Sequence, residues 1–319
     1  MPLRFTLRQL EYFVAVGECG SIAQAAERLR ISSPSISAAI AQLEAEFGLT
    51  LFIRRHAHGL ALTRGGARFL DRARELLDRA GGLHDLANDI TGSVRGPLHI
   101  GCLVTFAQII LPRLRRGFVD RYPEVEFRQY ECDQAELFDA LRAARLDAAL
   151  TYDLEIPGDL EFLPLMDLPP FALLPEDHPL AGRPSVTPAE LADHPMILLD
   201  LPMSADYFLS FFRESGIAPR IVERTRDVAV MRSLVANGFG YSLANLRPLT
   251  DVAPDGNRLR FSPLVGPART LRMGLLLAEG ARNIRAIRAF VEHARGAIGA
   301  DRLPNLRVPA TGADAPGPG

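Results

Sequence analysis

The sequence predicts an N-terminal all-α domain of the winged helix-turn-helix type, a linker helix, and an α/β domain in two lobes. Three patterns lead to this fold class. Residues 21–44 read as two short helices joined by a tight turn, and apolar residues repeat at heptad spacing over residues 64–90. Beyond residue 98, extended apolar runs alternate with helical periods.

Composition limits the class of protein. The chain has 319 residues, of which 48% are hydrophobic and 23% charged, as in globular proteins of two or three domains. Its net charge of −2 excludes a generally basic nucleic-acid binder. The cysteines Cys19, Cys102 and Cys132 form no CxxC or Cys/His pattern, so we expect no metal, no other cofactor and no disulfide framework. Arg8 and Glu11 interrupt the N-terminal apolar residues, and no run approaches a membrane span, so we expect a cytoplasmic protein without a membrane partner.

The helical hairpin begins at Ser21. Ser21 and Gln24 are spaced as a capping box, and Ala25, Ala26 and Leu29 follow at helical spacing. The small alanines allow a second helix to approach closely. The segment therefore predicts the first half of a compact two-helix unit.

The second helix of the hairpin starts near Pro34, which suits a first helical turn, with Ser33 or Ser32 as its cap. Its apolar stripe consists of Ile36, Ala39, Ile40 and Leu43. The outward face carries small and polar side chains, namely Ser33, Ser35, Ser37, Ala38 and Gln42. This pattern predicts a helix-turn-helix whose second helix enters the major groove of DNA. An ordinary helical hairpin that touches no DNA is the alternative.

Two short extended runs, residues 49–53 and 59–62, follow the hairpin and enclose a tip at residues 54–58. Arg54 and Arg55 at this tip are suited to phosphate contacts. Residues 1–65 carry seven arginines against five glutamates, a net charge of +2 that supports DNA binding only weakly. The placement predicts the wing of a DNA-binding domain at residues 1–63, and a solvated basic turn is the alternative.

Residues 64–91 predict a long helix that Thr63 caps. Its apolar residues alternate at spacings of four and three: Phe69, Ala73, Leu76, Ala80, Leu83, Ala87 and Ile90. Such a seam predicts a two-helix coil between two copies of the chain, and packing of the helix on its own domain is the alternative. Gly81 and Gly82 predict a bend or a close helix contact, and residues 92–97 read as a hinge.

The α/β region is predicted to form one lobe from residues 98–166 and 267–299, and a second lobe from residues 167–266. Expected strands lie at residues 98–103, 125–130, 147–152, 160–165, 171–174, 196–200, 220–225, 241–244 and 271–278. Expected helices lie at residues 108–119, 134–144, 204–214, 228–237 and 284–297, with a capping box at residues 187–190. The alternation predicts a parallel, doubly wound sheet. The Pro-, Gly- and Ala-rich tail at residues 300–319 is expected to be disordered.

Open α/β sheets bind ligands in the loops that follow their strands. The loops expected here contribute Cys102, Val104, Thr105, Tyr152, Met203 and Ser204. The loop at residues 101–105 leads into a helix N-terminus, which favours an anion. Ser204 is equally explained as a helix cap, and Thr105 as a surface residue. For Cys102 a thiol activated by the helix N-terminus competes with the commoner case of a buried small hydrophobe.

Residues at fixed spacings add a resemblance that covers the first 70 residues strongly. The features are Leu10-x-x-Phe13, Gly20-Ser21, Ala25-Ala26-x-x-Leu29, Ser32 with Ser37, Ile40-x-x-Leu43-Glu44, Gly48, Leu51-Phe52-x-Arg54 and Leu62-Thr63-x-x-Gly66. Together they resemble the N-terminal domain of the LysR-type transcriptional regulators. The later stretches Leu111-Pro112-x-Leu114, Tyr122-Pro123-x-Val125 and Leu146-Asp147-Ala148-Ala149 resemble the effector domain of that family, which has a type 2 periplasmic-binding-protein fold.

The resemblance implies a sequence-specific regulator controlled by a small molecule. It implies DNA contacts from Ser21, Ser32, Ser33, Pro34, Ser35, Ser37, Ala38, Gln42, Arg54, Arg55 and Thr63. It implies effector contacts from the strand-end loops and from Phe239, in a turn that lacks the glycines of a nucleotide-binding loop. Implied partners are double-stranded operator DNA, an effector that is often a carboxylate, and a second copy in a dimer or tetramer, with RNA polymerase as a further candidate. Ser33 and Ala38 depart from the glutamine and the polar or arginine residue that the family often has there.

A second hypothesis keeps the two-lobed domain but makes it a solute-binding or transferase-like protein with an accessory helical domain. The sequence shows no paired base and nucleophile and no metal cluster, so we name no catalytic residue and do not expect an enzyme. A ligand-controlled regulator explains both halves of the chain.

Overall fold

The computed structural model describes residues 4–55, 59–91 and 93–299, together with residues 303, 306 and 308. The chain divides into two compact units, Met1–Gly92 and Ser93–Gly319. Among the described residues, no helix combines the length and the apolar character that a membrane crossing needs.

The first unit has four helices and one hairpin within its described residues. They are α1 (Leu7–Cys19), α2 (Ile22–Leu29), α3 (Ser33–Phe47), β1 (Phe52–Arg55), β2 (Gly59–Leu62) and α4 (Arg64–Thr91). Ser32, rather than Ser33, caps α3, and Pro34 lies in its first turn. At α2 the predicted capping box is only half formed, because the Ser21 hydroxyl accepts from the Gln24 N–H at 3.5 Å without the reciprocal bond.

Two apolar clusters hold the first unit together. In one, Ala25 and Ala26 of α2 pack against Ile36 and Ile40 of α3. In the other, Phe13 of α1 packs against residues of α3, the segment after it, and α4. The core therefore sits behind α3 and leaves the opposite face of α3 exposed, which is the arrangement that the sequence predicted.

Helix α4 divides its apolar residues between two faces. Ala73 is buried in the core of its own unit and Phe69 packs against that core. Leu76 and Leu83 are 41% and 68% exposed in the single chain. The N-terminal part of the heptad seam thus packs on its own domain, as the alternative interpretation required, while the later leucines stay uncovered. The helix runs without interruption through Gly81 and Gly82, where a bend or a close helix contact stays a prediction. The side chains of Ala87 and Ile90 lie outside the described residues.

The first lobe of the second unit is built on a five-stranded sheet in the order β4-β3-β5-β12-β6. The strands are β3 (Gly96–Leu103), β4 (Val125–Cys132), β5 (Ala148–Tyr152), β6 (Leu160–Leu168) and β12 (Leu271–Ala278). β3 pairs in parallel with β4 and β5, but β12 runs antiparallel to both β5 and β6. The sheet is therefore mixed, not wholly parallel as predicted, because the chain returns from the second lobe in the opposite direction.

Helices cover this sheet on both sides. They are α5 (Val104–Ala107), α6 (Leu111–Arg121), α7 (Gln134–Arg142) and α11 (Arg285–Ala297), with a 3₁₀ turn at Ala281–Asn283. Helix α6 corresponds to the helix predicted at residues 108–119 with its bounds shifted by two to three residues, and the short α5 before it was not predicted. Strand β3 starts at Gly96, so residues 96 and 97 of the predicted hinge belong to a strand. Residues 93–95 are the described residues of the hinge that lie outside it.

The second lobe combines two small sheets. Strands β8 (Pro195–Leu199) and β9 (Arg220–Thr225) are parallel, and β10 (Ser242–Ala244), β7 (Phe171–Pro175) and β11 (Leu259–Pro263) form an antiparallel sheet in that order. Its helices are α8 (Pro188–Ala192), α9 (Ser204–Glu214) and α10 (Val228–Ala236). The Thr187–Glu190 capping box is formed as predicted, whereas β11 was not predicted.

The tail is not wholly disordered, contrary to prediction. Leu306 is 1% exposed, and its carbonyl accepts from the Arg247 N–H at 2.8 Å. Val308 is buried in the second cluster of the unit. Apolar side chains within a Pro- and Gly-rich segment thus anchor part of it, and most of residues 300–319 lie outside the described residues.

Candidate functional site

The outward face of α3 is open and made of small side chains. Ser35, Ser37, Ala38 and Gln42 are exposed, while Ser33 and Ser21 are half-buried. The Ser32 hydroxyl lies 2.7 Å from the Ser35 hydroxyl and also accepts from the Ser35 N–H. The hydroxyls of Ser21 and Ser32 therefore cap the N-termini of α2 and α3. The rest of the outward face of α3 exposes small and polar side chains.

Gln42 has a structural partner that the sequence did not reveal. The Gln9 side-chain amide of α1 donates to Gln42 Oε1 at 2.6 Å. Gln9 also completes a capping box with Thr6 at the start of α1. Gln42 thus fixes the angle between α1 and α3 in addition to facing outward.

The β1–β2 hairpin is held against the end of α3. Strands β1 and β2 are antiparallel, with Arg54 opposite Leu60. Glu44 of α3 accepts from the backbone N–H groups of Leu51 and Phe52 at 2.7 and 3.3 Å. The Leu60 N–H donates to the Gly20 carbonyl at 2.9 Å. These bonds confirm a wing beside the helix-turn-helix, while the side chains of Arg54 and Arg55 lie outside the described residues.

Thr63 closes the hairpin and starts α4. Its hydroxyl donates to the Thr50 carbonyl and accepts from the Gly66 N–H, both at 2.8 Å. The predicted cap is confirmed, and both hydrogen-bonding roles of the hydroxyl are used within the domain.

A cavity in the second unit lies between its two lobes. It is narrow, with a volume of about 50 Å³, and it opens to solvent. Thr105 and Tyr152 of the first lobe line it, together with Ser204 of the second lobe, so three predicted effector residues meet there. Most of the remaining wall is apolar, contributed by Ile109, Leu173, Leu199, Leu201, Phe208, Val228, Met231, Leu243, Leu246 and Leu271.

The other predicted effector residues do not line this cavity. Cys102 is fully buried in the first-lobe core, and Val104 packs against the second cluster. Met203 adopts a positive φ of 63° just before α9 and packs on the core. Phe239 is 61% exposed and lines a separate depression with Val230 and Leu234. Strand-end position alone did not tell which side chains turn towards the space between the lobes.

The thiol interpretation of Cys102 is also wrong. Burial raises the pKa of the Cys102 thiol well above its usual value, so the group stays protonated at neutral pH. A full-length helix N-terminus would lower that pKa, but the helix that follows has only four residues. Cys102 is a buried small hydrophobe.

Neutral hydrogen-bonding groups surround the cavity. The Tyr207 hydroxyl donates to the Arg269 carbonyl at 2.6 Å and accepts from Asn245 at 2.9 Å. Gln134, which is 2% exposed, donates to the carbonyls of Tyr152 and Leu154 and fixes the end of β5. Burial raises the pKa of Tyr152 and of Tyr207, so both phenols are neutral donors.

Arg232 of α10 is the cavity residue that sequence reasoning missed. It is the one charged side chain among the described residues that line the cavity. Its Nη2 donates to the Val252 carbonyl at 2.6 Å, and burial lowers the pKa of the guanidinium. Val228, Met231 and Arg232 have the i, i+3, i+4 spacing of a single helix face, which is the signal that could have placed Arg232 there.

Within the described part of the chain, no three His, Cys, Asp or Glu side chains come close enough together to hold a metal ion.

Comparisons with known proteins match both units. Residues 7–67 match the family model described as the bacterial regulatory helix-turn-helix protein, lysR family, and residues 91–299 match the LysR substrate binding domain. The HTH-type transcriptional regulator BsdA of Bacillus subtilis is 31% identical over 244 residues, which cover 74% of this chain and 82% of that protein. A probable hydrogen peroxide-inducible genes activator of Streptomyces viridosporus is 31% identical over 279 residues, covering 86% and 89% of the two chains. The crystal structure of HinK, a LysR family transcriptional regulator of Pseudomonas aeruginosa, superposes with a TM-score of 0.61 at 38% identity, covering 92% of this chain and 99% of that one.

Proposed function

Because the chain belongs to the LysR family of DNA-binding transcriptional regulators, we propose that it reads an operator with α3 and responds to a small molecule held between the lobes of its second unit. Members of this family are regulators and not enzymes. The observation that carries the DNA-binding part is the open face of α3, backed by a buried core and flanked by a hairpin bonded to its end. The site of action is then the cytoplasm, where bacterial DNA lies.

Base contacts are assigned to the N-terminal half of α3. Ser33, Pro34, Ser35, Ser37 and Ala38 form its groove-facing half, with Gln42 shared between the groove and α1. Because Ser33 and Ala38 replace larger side chains that the family often has, hydroxyls and a methyl group would read this operator. Ser21, Ser32 and Thr63 contribute through backbone geometry near the phosphates, since their hydroxyls cap helices.

Arg54 and Arg55 are assigned to the phosphate backbone through their place on β1. A phosphate contact lowers affinity for every sequence when it is removed, and it lowers the salt dependence of binding by about one unit in log–log slope. Loss of discrimination between sequences with an unchanged salt slope in Arg54→Gln would contradict this role.

The test of α3 is a gel shift with the intergenic DNA upstream of the protein's own gene. Ser37→Glu places a carboxylate in the proposed groove face and is expected to abolish the shift. Ala67→Glu, which adds the same charge at an exposed position of α4, is expected to leave it intact. Equal shifts for both variants would remove α3 from the interface.

For the effector we propose a small carboxylate held by the cavity, with Thr105, Tyr152 and Ser204 as hydrogen-bonding contacts. A ligand that binds one arrangement of the two lobes more tightly would favour that arrangement, and it would change the DNA affinity only if the two arrangements also differ in their affinity for DNA. Self-association through α4, as a dimer or a tetramer, and contact with RNA polymerase complete the proposal.

A further inference from the structure

One charged residue of the described chain, Arg232, lines the cavity, and no contact within its own helix accounts for a charge at this place. Arg232 lies on the face of α10 that also presents Val228 and Met231 to the cavity. Asp227 caps this helix through bonds to the N–H groups of Ala229 and Val230, so the face is fixed at its start. Arg232 is therefore the one charged residue in a wall whose described residues are otherwise neutral, and its guanidinium reaches the Val252 carbonyl beside that wall.

The guanidinium is incompletely partnered. It can donate five hydrogen bonds. Nη2 donates to the Val252 carbonyl, and Nε is buried with no partner among the described residues. No carboxylate of the described chain forms an ion pair with Arg232, whereas many other arginines have such pairs. Burying a charged donor without an acceptor is costly, so this arrangement is one that an incoming anion would relieve.

The surroundings decide what kind of anion fits. Phe208, Leu201, Leu243 and their neighbours form an apolar wall, which favours a hydrocarbon or aromatic body over a small hydrated ion. Tyr152 and Ser204 add neutral donors. A carboxylate can accept two parallel bonds from a guanidinium, which suits the planar fork of arginine.

We propose that Arg232 is the charge partner of the ligand, and that the ligand is a small organic acid whose carboxylate pairs with this guanidinium while its apolar body packs against the leucines and Phe208. This inference rests on the proposed use of the cavity for an effector. It assigns specificity to a residue on α10, away from the strand-end loops.

The experiment is calorimetric titration of the full-length protein with three acids and their uncharged amides: hexanoate, benzoate and phenylacetate against hexanamide, benzamide and phenylacetamide. We expect at least one acid to bind, and its amide to bind at least about 10-fold more weakly, as expected for the loss of a charge-assisted hydrogen bond. Arg232→Gln is expected to reduce the affinity of the acid by a similar factor and to leave the amide unchanged. Inorganic phosphate and sulfate, which lack an apolar body, are expected to bind more weakly than the best acid.

The matched control is Arg220→Gln, which removes an exposed arginine of β9 from the same lobe. It is expected to leave the affinity for the acids unchanged. Arg232→Lys keeps the charge but loses the planar fork, and is expected to fall between wild type and Arg232→Gln. Thermal unfolding of each variant without ligand shows whether the lobe still folds, and if Arg232→Gln does not, the Lys variant and the acid–amide comparison in the wild type decide the question.

Two results would overturn the inference: acids that bind no better than their amides, including the case in which none of the six compounds binds, or acids that bind Arg232→Gln as tightly as wild type. Equal binding of acids and amides would leave the cavity as an effector site, but it would remove both the ionic pairing with Arg232 and the carboxylate proposed for the effector. A protein that binds the acids through Arg232 but shifts no DNA would instead contradict the proposed regulatory function.

Discussion

Among the described glycines of the first unit, Gly66 is the one at which an added Cβ atom would come closest to its neighbours. A Cβ atom there would lie 2.1 Å from the Leu51 carbonyl oxygen, a backbone atom that cannot turn away. Gly66→Ala should therefore displace the start of α4 and lower the free energy of unfolding of the first unit by about 1–3 kcal/mol or more. Thermal unfolding followed by circular dichroism measures the change.

The control lies in the same helix. A Cβ at Gly81 would meet nothing within 4 Å, so Gly81→Ala should stabilise the helix by roughly 1 kcal/mol. If Gly66→Ala melted with or above the wild type, the close contact with Leu51 would be refuted.

Cys102 and Cys132 should not respond to peroxide. Burial raises the pKa of both thiols, and the thiolate is the form that peroxides attack. After treatment of the native protein with hydrogen peroxide at pH 7.5, we expect mass spectrometry to find both thiols reduced, while the protein unfolded in guanidinium is oxidised at both. A sulfenic acid or a Cys102–Cys132 disulfide in the native protein would contradict this, and would bring the chain nearer to its Streptomyces relative named for peroxide induction.

At the scale of single residues, the sequence predicted which hydroxyl-bearing residues line the cavity. It did not predict the charged residue of the cavity or the hydrogen bonds between distant residues. Ser204, Thr105 and Tyr152 follow strands or open helices, and that position alone led to the cavity. Arg232 sits in the middle of a helix, where a charged residue usually faces solvent, and only its spacing from Val228 and Met231 indicates that it shares their apolar face. The bond between Gln9 and Gln42 spans 33 residues, so no local spacing could indicate it.

Helix α4 offers the clearest prediction at the scale of an element. Leu76 and Leu83 lie one heptad apart on its exposed side, and covering each would contribute about 1.5–3 kcal/mol. The double variant Leu76→Gln, Leu83→Gln should therefore raise the dimer dissociation constant at least 100-fold, as measured by analytical ultracentrifugation.

The charged flank of the same helix provides the comparison. Arg72 and Arg79 pair with Glu75 on the surface, and such exposed pairs contribute little. The double variant Arg72→Gln, Arg79→Gln should leave the association unchanged. A dimer that survives the loss of both leucines would place the interface elsewhere.

Most helices and strands could be predicted from the sequence because their hydrophobic periodicity is regular over many residues. The exceptions share a cause, which is contact between segments that are distant in the chain. β11 was missed because its five residues, Leu259–Pro263, are interrupted by charge and end in proline, yet they pair with β7 some 85 residues earlier in the chain. The direction of β12 was wrong because pairing between distant segments fixes it, and the hydrophobic pattern is the same for either direction. Leu306 shows the same limit, since its side chain packs in the core of the second unit and its carbonyl accepts from the N–H of Arg247, which is distant in the sequence.

At the scale of the whole molecule, the two units should separate cleanly. The second unit has its own core, and its described linker to the first consists of residues 93–95. Residues 93–319 expressed alone should unfold in a single cooperative transition and bind the same organic acids as the full-length protein, as judged by calorimetry. Aggregation of this fragment, or loss of binding, would show that the first unit completes its fold.

The uninterrupted α4 has a consequence for the spacing of two DNA half-sites. One face of the helix belongs to the core of the first unit and another carries Leu76 and Leu83, and no loop separates them. Each residue of an α-helix adds roughly 1.5 Å and 100° of rotation. One residue inserted after Arg74 would therefore turn both leucines out of phase with the DNA-binding domain, whereas seven would nearly restore the phase and lengthen the helix by roughly 10 Å, about three base pairs. If two copies associate through Leu76 and Leu83 as proposed, the distance between their DNA-binding domains depends on the number of residues in α4, and insertions of whole turns are the ones expected to keep the leucines in register.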